Sequence, residues 1–127
     1  MYVIFINCKL FPFISWIISG LKTYETRNRN TLKRFIGKTV YLAETGKGKA
    51  PIIRCYCTMT NSMIITNKTV YNQYRKYTKV KKGSVYDFTS ETKQKVLYKL
   101  ENVKACVPFE LPKNAIRYGR IYAKINS

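Results

Sequence analysis

Histidine is absent from the 127 residues, and acid is scarce: six Asp and Glu stand against 24 Lys and Arg, for a net charge of +18. The missing imidazole removes Ser-His-Asp and Cys-His nucleophilic machinery, histidine acid–base catalysis and the commonest metal ligand together. The carboxylates are Glu25, Glu44, Asp87, Glu91, Glu101 and Glu110, no two closer than four positions, so a two-metal cage would need most of them to converge from distant segments. Long hydrophobic runs are also missing. The longest apolar stretch, Leu10 to Ile18, carries Pro12 and Ser15 and is about half the length of a membrane span. Asn7 and Lys9 interrupt any export-signal core, and no small-residue cleavage site follows. These absences lead to the expectation of a protein without membrane insertion, metal or cofactor, in the cytoplasm or, for a viral protein, the cytoplasm of a host cell.

A disulfide framework is lacking as well. Cys8, Cys55, Cys57 and Cys106 are scattered through apolar stretches, which reads as reduced, buried thiols. A four-thiolate zinc site can be drawn from them, but its spacing fits no zinc motif. Gly46-Lys47-Gly48-Lys49 lacks the spacing and the hydroxyl of a phosphate-binding P-loop, leaving a mobile turn with two cations, Lys47 and Lys49.

What is present is apolar content enough to fold. Hydrophobic residues make up 46% of the chain, and residues 1–127 fit a single domain with its own core. The cations run along the whole length, so the charge belongs to the folded body, and a surface of that kind attracts polyanions. Nucleic acid is the first candidate partner, because neutralising backbone phosphates releases counterions. RNA leads, DNA remains an open alternative, and a basic surface kept for solubility is the bland reading. Candidate phosphate contacts are Arg29, Lys33 and Arg34 in a polar loop over 28–38, Lys47 and Lys49 in the glycine turn, and Arg75, Lys76 and Lys79 around a helix.

Alternation predicts strands at 2–7, with both faces buried, at 22–27, at 40–43, in a long run from Pro51 through Thr60, at 94–103 and at 121–125. Pro12 opens a short helix in which Phe13, Trp16 and Ile17 recur at helical spacing, and Gly20 stops it. Thr66 or Asn67 caps a second helix that aligns Val70, Tyr74 and Tyr77. Pro108 and Pro112 are expected to break the chain between the last two strands. Five or six short strands with two short helices make an α+β domain, a small mixed barrel.

Glu25 is the only acidic residue among the first 43 positions. In an extended segment it shares a face with Thr23 and Arg27, and Lys22 sits in the turn just before. The cluster is either a structural ion pair or the polar end of a ligand pocket.

The run Ile6-Asn7-Cys8-Lys9-Leu10-Phe11-Pro12, followed by Trp16-Ile17-Ile18-Ser19-Gly20-Leu21-Lys22-Thr23-Tyr24-Glu25-Thr26-Arg27, resembles the N-terminal signature of the ASCH domain, a member of the PUA-like superfamily. The hallmark G-x-K-x-x-E-x-R is matched by Gly20, Lys22, Glu25 and Arg27, after a first strand and a short helix. The resemblance covers the first half well and the second half only in its strand pattern. It implies a PUA-like β-barrel with short helices at its openings and a cleft beneath the first helix, into which Lys22, Glu25 and Arg27 point. It also implies an RNA-binding module. Lys22 and Arg27 would hold phosphate or a base carbonyl, Glu25 would accept from a base amine, and Trp16 would close the pocket as a stacking surface.

Some ASCH relatives are enzymes, which keeps an RNA-directed hydrolase as the second reading. A subgroup deacetylates acetylcytidine with Lys, Thr and Glu. Lys22 matches that Lys, but Glu25 stands where the Thr would be, and residues 45–86 hold no acidic side chain for the further Glu. A ribonuclease would use Glu25 as general base with Lys22 or Arg27 on the phosphorane. A carboxylate flanked by cations is a poor proton acceptor, which favours recognition over catalysis. The third reading is a viral or bacterial interaction module whose basic face meets an acidic partner protein.

Overall fold

Residues 1–126 are described by a computed structural model. The alternating stretches become β1 (Tyr2–Asn7), β2 (Tyr24–Arg27), β3 (Lys38–Thr45), β4 (Ile52–Ile65), β5 (Lys95–Glu110), β6 (Ile116–Tyr118) and β7 (Tyr122–Lys124). Between them lie three short helices, α1 (Phe13–Ile18), α2 (Lys68–Gln73) and α3 (Arg75–Thr78), and a 3-10 turn at Lys33–Phe35. One sheet holds all seven described strands in the order β2-β5-β4-β3-β1-β7-β6, with β1 parallel to β3 and the other neighbours antiparallel.

The α+β class matches expectation, but the strands number seven, and β2 and β6 at the two ends of the order are not paired with each other, so the sheet is open. It is nonetheless curled. The β4–β5 ladder slips register at three places and β3–β4 at one, and such bulges bend and twist a strand pair. The curl brings β2 back toward β1 across the open seam, where the Arg27 guanidinium donates to the Phe5 carbonyl oxygen at 2.8 Å.

The main core lies inside the curl. Ile4, Ile6, Leu42, Cys55, Cys57 and Tyr98 meet Phe13, Ile14 and Ile17 of α1 there. A six-residue helix has no independent stability, so burial holds α1 in place, at about 1.5–3 kcal/mol for each large apolar side chain. Val3 and Phe5 pack on the other face with Ala43, Ile53 and Ala123, which makes β1 buried on both sides as its sequence predicts. A third cluster seats Tyr71 of α2 against Ile65, Val80, Phe88 and Leu97.

Two expectations are corrected. The second helix is capped by Asn67, whose side chain accepts from Thr69 and Val70, but it breaks at Tyr74 into α2 and α3. Tyr71 therefore faces the core, while Val70 and Tyr77 are each 40% exposed. Pro108 lies within β5 instead of ending it: the neighbouring strand β2 stops at Val96–Lys99, so the far edge of β5 has no ladder that needs its missing N–H. The 28–38 loop is ordered by a buried tyrosine, since Tyr98 Oη accepts from the Leu32 N–H at 3.2 Å and contacts Asn30 Oδ1 at 2.7 Å. The thiols are free; burial pushes Cys55 and Cys57 up to about 12, and Cys106 packs with a different cluster from the other three. No group of three or more potential metal ligands gathers among the described residues.

Candidate functional site

Gly20 ends α1 at a φ of 84°, a left-handed turn that glycine adopts without penalty, and the Lys22 N–H then returns to the Trp16 carbonyl at 3.0 Å. This return tucks Lys22 under the helix. Its ammonium donates to the Thr78 carbonyl at 2.6 Å, lies 4.6 Å from the centre of the Phe13 ring and stands 3.7 Å from Glu25 Oε1. At 1% exposure it is enclosed, and does not border the cavity it was expected to line. Burial lowers the Lys22 pKa, with Glu25 acting in the opposite direction.

β2 carries the next residues into the seam. Glu25 pairs with Tyr98 of β5 in the ladder, and its Oε1 accepts from the Thr26 N–H at 2.9 Å. Arg27 Nη2 reaches Glu25 Oε2 at 3.3 Å while also holding Phe5, so one guanidinium ties the carboxylate to β1. Above them opens a cavity of about 770 Å³. Its lining includes Glu25, Thr26, Arg27 and Asn28 from β2 and its end, Asn7 from β1, Phe13 and Tyr86 as aromatic wall, and Lys49, Lys95, Arg117 and Arg120 as further cations. Five basic side chains thus surround a single acidic one. Lys95 is anchored to Asn28 Oδ1 at 2.7 Å, and burial lowers its pKa. Burial, then the Glu25 charge, raises that of Tyr86.

Gly46 shapes the rim. A Cβ there would lie 2.6 Å from Asn7 Oδ1, so the glycine turn can close on β1 only because it has no side chain. That closure places Lys49 on the cavity, while Lys47 is exposed and outside its lining.

The cavity gathers Glu25, Arg27 and Lys49 from the residues singled out in the sequence. Trp16 packs on Phe11 and Phe13 and does not border it. Arg29 and Lys33 are exposed outside it. Arg34 is held on another face, donating to Tyr122 Oη at 2.7 Å and Tyr2 Oη at 3.1 Å. Arg75 is committed to Asp87 at 2.9 Å, and Lys76 and Lys79 border a separate shallow depression at α2 and α3. Sequence reasoning missed Lys95, Arg117, Arg120 and Tyr86. Arg117-Tyr118-Gly119-Arg120 did carry a signal, a glycine turn between two cations ahead of the last strand, which is the hairpin that folds back over Phe5.

A curled α+β sheet with a cation-ringed cavity at its seam, and with Phe13 of a short helix in the cavity wall, defines the class. The chain has the fold of ASCH-domain structures. It is similar to crystal structures of ASCH from Zymomonas mobilis: the parent protein at TM-score 0.69 and 19% identity, covering 87% of this chain and 73% of that one. A serine-to-alanine variant of the same protein superposes with TM-score 0.76 at 16% identity, over 98% of this chain and 87% of the other. A tyrosine-to-phenylalanine variant gives 0.69 at 19%, over 87% and 75%. No protein-family model and no curated protein sequence matches the chain.

Proposed function

We propose that this PUA-like domain is an RNA-binding module that recognises RNA or a nucleotide in the cavity above Glu25. The observation that carries the reading is one buried carboxylate facing a space otherwise bordered by Arg27, Lys49, Lys95, Arg117 and Arg120. Cations alone would serve any polyanion. A carboxylate repels phosphate, so its presence favours a ligand that offers N–H donors at one end and negative charge at the other, which describes a nucleobase with an exocyclic amine on its sugar phosphate. The Phe13 and Tyr86 rings supply apolar wall for the base, and Arg117, Arg120 and Lys49 supply phosphate contacts.

Binding of labelled single-stranded RNA, followed by fluorescence polarisation against salt, tests the reading. With about five phosphates engaged, the log–log slope should lie near −3 to −4. A flat salt dependence removes RNA as the partner, and matched DNA decides between the two polyanions. Glu25→Gln should shift preference among bases at equal salt slope.

The hydrolase alternative uses the same cavity. Enclosure of Lys22 takes away one of its two proposed cations, leaving Arg27 beside Glu25. Product formed from RNA and abolished by Glu25→Gln, with affinity retained, would establish it over recognition alone.

A further inference from the structure

The β6–β7 hairpin has two unlike faces. Arg117 lies over the Phe5 ring at 5.1 Å on the cavity side, and Arg120 in the turn also borders the cavity. The neighbours Tyr118 and Tyr122, directly paired across the two strands, point the other way. Their rings stack with centroids 4.5 Å apart and planes within 10°. The row continues from Tyr122 to Phe35 at 5.0 Å and to Tyr2 at 6.0 Å. Tyr118 forms its outer end, 43% exposed.

Arg34 lies along this row. Its guanidinium sits 5.0 to 5.4 Å from the ring centres of Tyr2, Phe35 and Tyr122 and donates to two tyrosine hydroxyls. No carboxylate pairs with it among the described residues. An exposed arginine ordinarily samples many rotamers, whereas this one is oriented by three rings, keeps its net charge and has N–H groups left over. Lys124 adds a second cation over Tyr2, at 6.0 Å.

We propose that the Tyr118–Tyr122 stack with Arg34 is a second ligand site, a platform on which an unpaired base of single-stranded nucleic acid extends the stack while Arg34 takes the adjoining phosphate. Stacked aromatics edged by fixed cations suit single strands because every base has a π-face and every linkage a charge. An acidic peptide would engage the cations but gains nothing from an extended ring stack. The platform rests on the RNA reading of the cavity and lies on the same hairpin, so one strand can leave the cavity past Arg117 and Arg120 and reach Tyr118.

The test compares Tyr118→Ala and Tyr118→Phe with the parent protein, using oligocytidylate of about a dozen nucleotides, cytidine monophosphate and duplex RNA as probes. Tyr118→Ala should weaken oligocytidylate binding by about fivefold or more, and Tyr118→Phe should retain it within about twofold, since stacking needs the ring and not the hydroxyl. Monophosphate and duplex binding should be unchanged in both, because one fills the cavity and the other hides its bases. Equal oligocytidylate binding by parent and Tyr118→Ala overturns the platform and leaves the RNA reading standing. Equal loss in Tyr118→Phe, or parallel loss for duplex or monophosphate, also overturns it. A parent that binds none of the three probes overturns both. Thermal unfolding of Tyr118→Ala at the parental midpoint shows that a loss is not a folding defect.

Discussion

Two buried carboxylates, Asp87 and Glu25, differ in how fully they are satisfied. Asp87 accepts from Gly83 N–H at 2.7 Å, Phe88 N–H at 2.8 Å and Arg75 at 2.9 Å, and Arg75 is itself tied to Val80 and Asn72. Glu25 has one short bond, from Thr26 at 2.9 Å, and two longer cation contacts, 3.3 Å to Arg27 and 3.7 Å to Lys22. Asp87 pins the loop after α3 to the helix. Glu25 keeps acceptor capacity on a cavity wall, which is the state expected of a group that meets a ligand. In a chain with six acids, both inward-pointing ones pair with arginine, so pairing alone does not separate structure from function; residual capacity does.

Removing Asp87 should therefore cost the most. Asp87→Ala leaves a guanidinium and two N–H groups without their acceptor, a loss of about 3 kcal/mol measurable by urea unfolding, with nucleotide preference unchanged. Burial alone would raise the Asp87 pKa, but the Gly83 N–H, Arg75 and the Phe88 N–H hold it below the ordinary 3.8. A folded value below the unfolded one means that its stabilisation is fully present above about pH 3.8 and fades as pH falls through the folded value. Asp87→Asn should flatten that acid limb. An unaltered limb would mean that Asp87 is no better satisfied than Glu25, and the contrast would be lost.

Glu25→Gln comes next, at about 1–2 kcal/mol, because it strands the enclosed Lys22 ammonium. The second substitution Lys22→Met should recover most of this, since replacing both members of a buried pair is often close to neutral. Lys22 has a lowered pKa in the fold, so the unfolded chain holds its proton longer and stability rises with pH on approach to 10.5. Without Glu25 opposing the shift, that rise should steepen in Glu25→Gln and vanish in the double variant. Urea unfolding across pH 8 to 10 reads both.

The fold and half of the cavity were legible in the sequence for a physical reason. β1, α1 and β2 are contiguous, so alternation, Pro12, Gly20 and the spacing of Glu25 and Arg27 specify local structure without any knowledge of the rest. What was not legible depends on distant parts meeting. Lys22 reads as a cation facing the ligand cleft until Thr78, from α3, supplies the carbonyl that buries it. Arg117 and Arg120 read as two more positive charges until the curl lays their hairpin over Phe5. The curl of the open sheet likewise depends on bulges in β4 and β5, for which alternation predicts only two regular strands.

The smallest effect should come from Arg27→Lys, and it bears on the seam itself. Arg27 spans an opening that no ladder closes, holding Phe5 of β1 and Glu25 of β2 with one nitrogen. Lysine keeps the charge and has three N–H donors, but its stem is flexible and its nitrogen lies one bond closer to the backbone than an arginine Nη, so it does not hold the Phe5 carbonyl and the Glu25 carboxylate together in the geometry that Arg27 Nη2 does. The expected cost is about 1 kcal/mol, well below that of Asp87→Ala, because Arg27 is only half-buried and water can replace one contact. Binding should respond more than stability does. A lysine that turns to Glu25 frees the Phe5 carbonyl and loosens the seam, and one that turns to Phe5 leaves Glu25 with less restraint; either way the acceptor's position blurs, and discrimination between amine-bearing bases and uracil should fall while the salt slope holds. If Arg27→Lys instead costs as much as Asp87→Ala and leaves base preference intact, the Glu25–Arg27 pair is a structural clamp of the same kind as Asp87–Arg75.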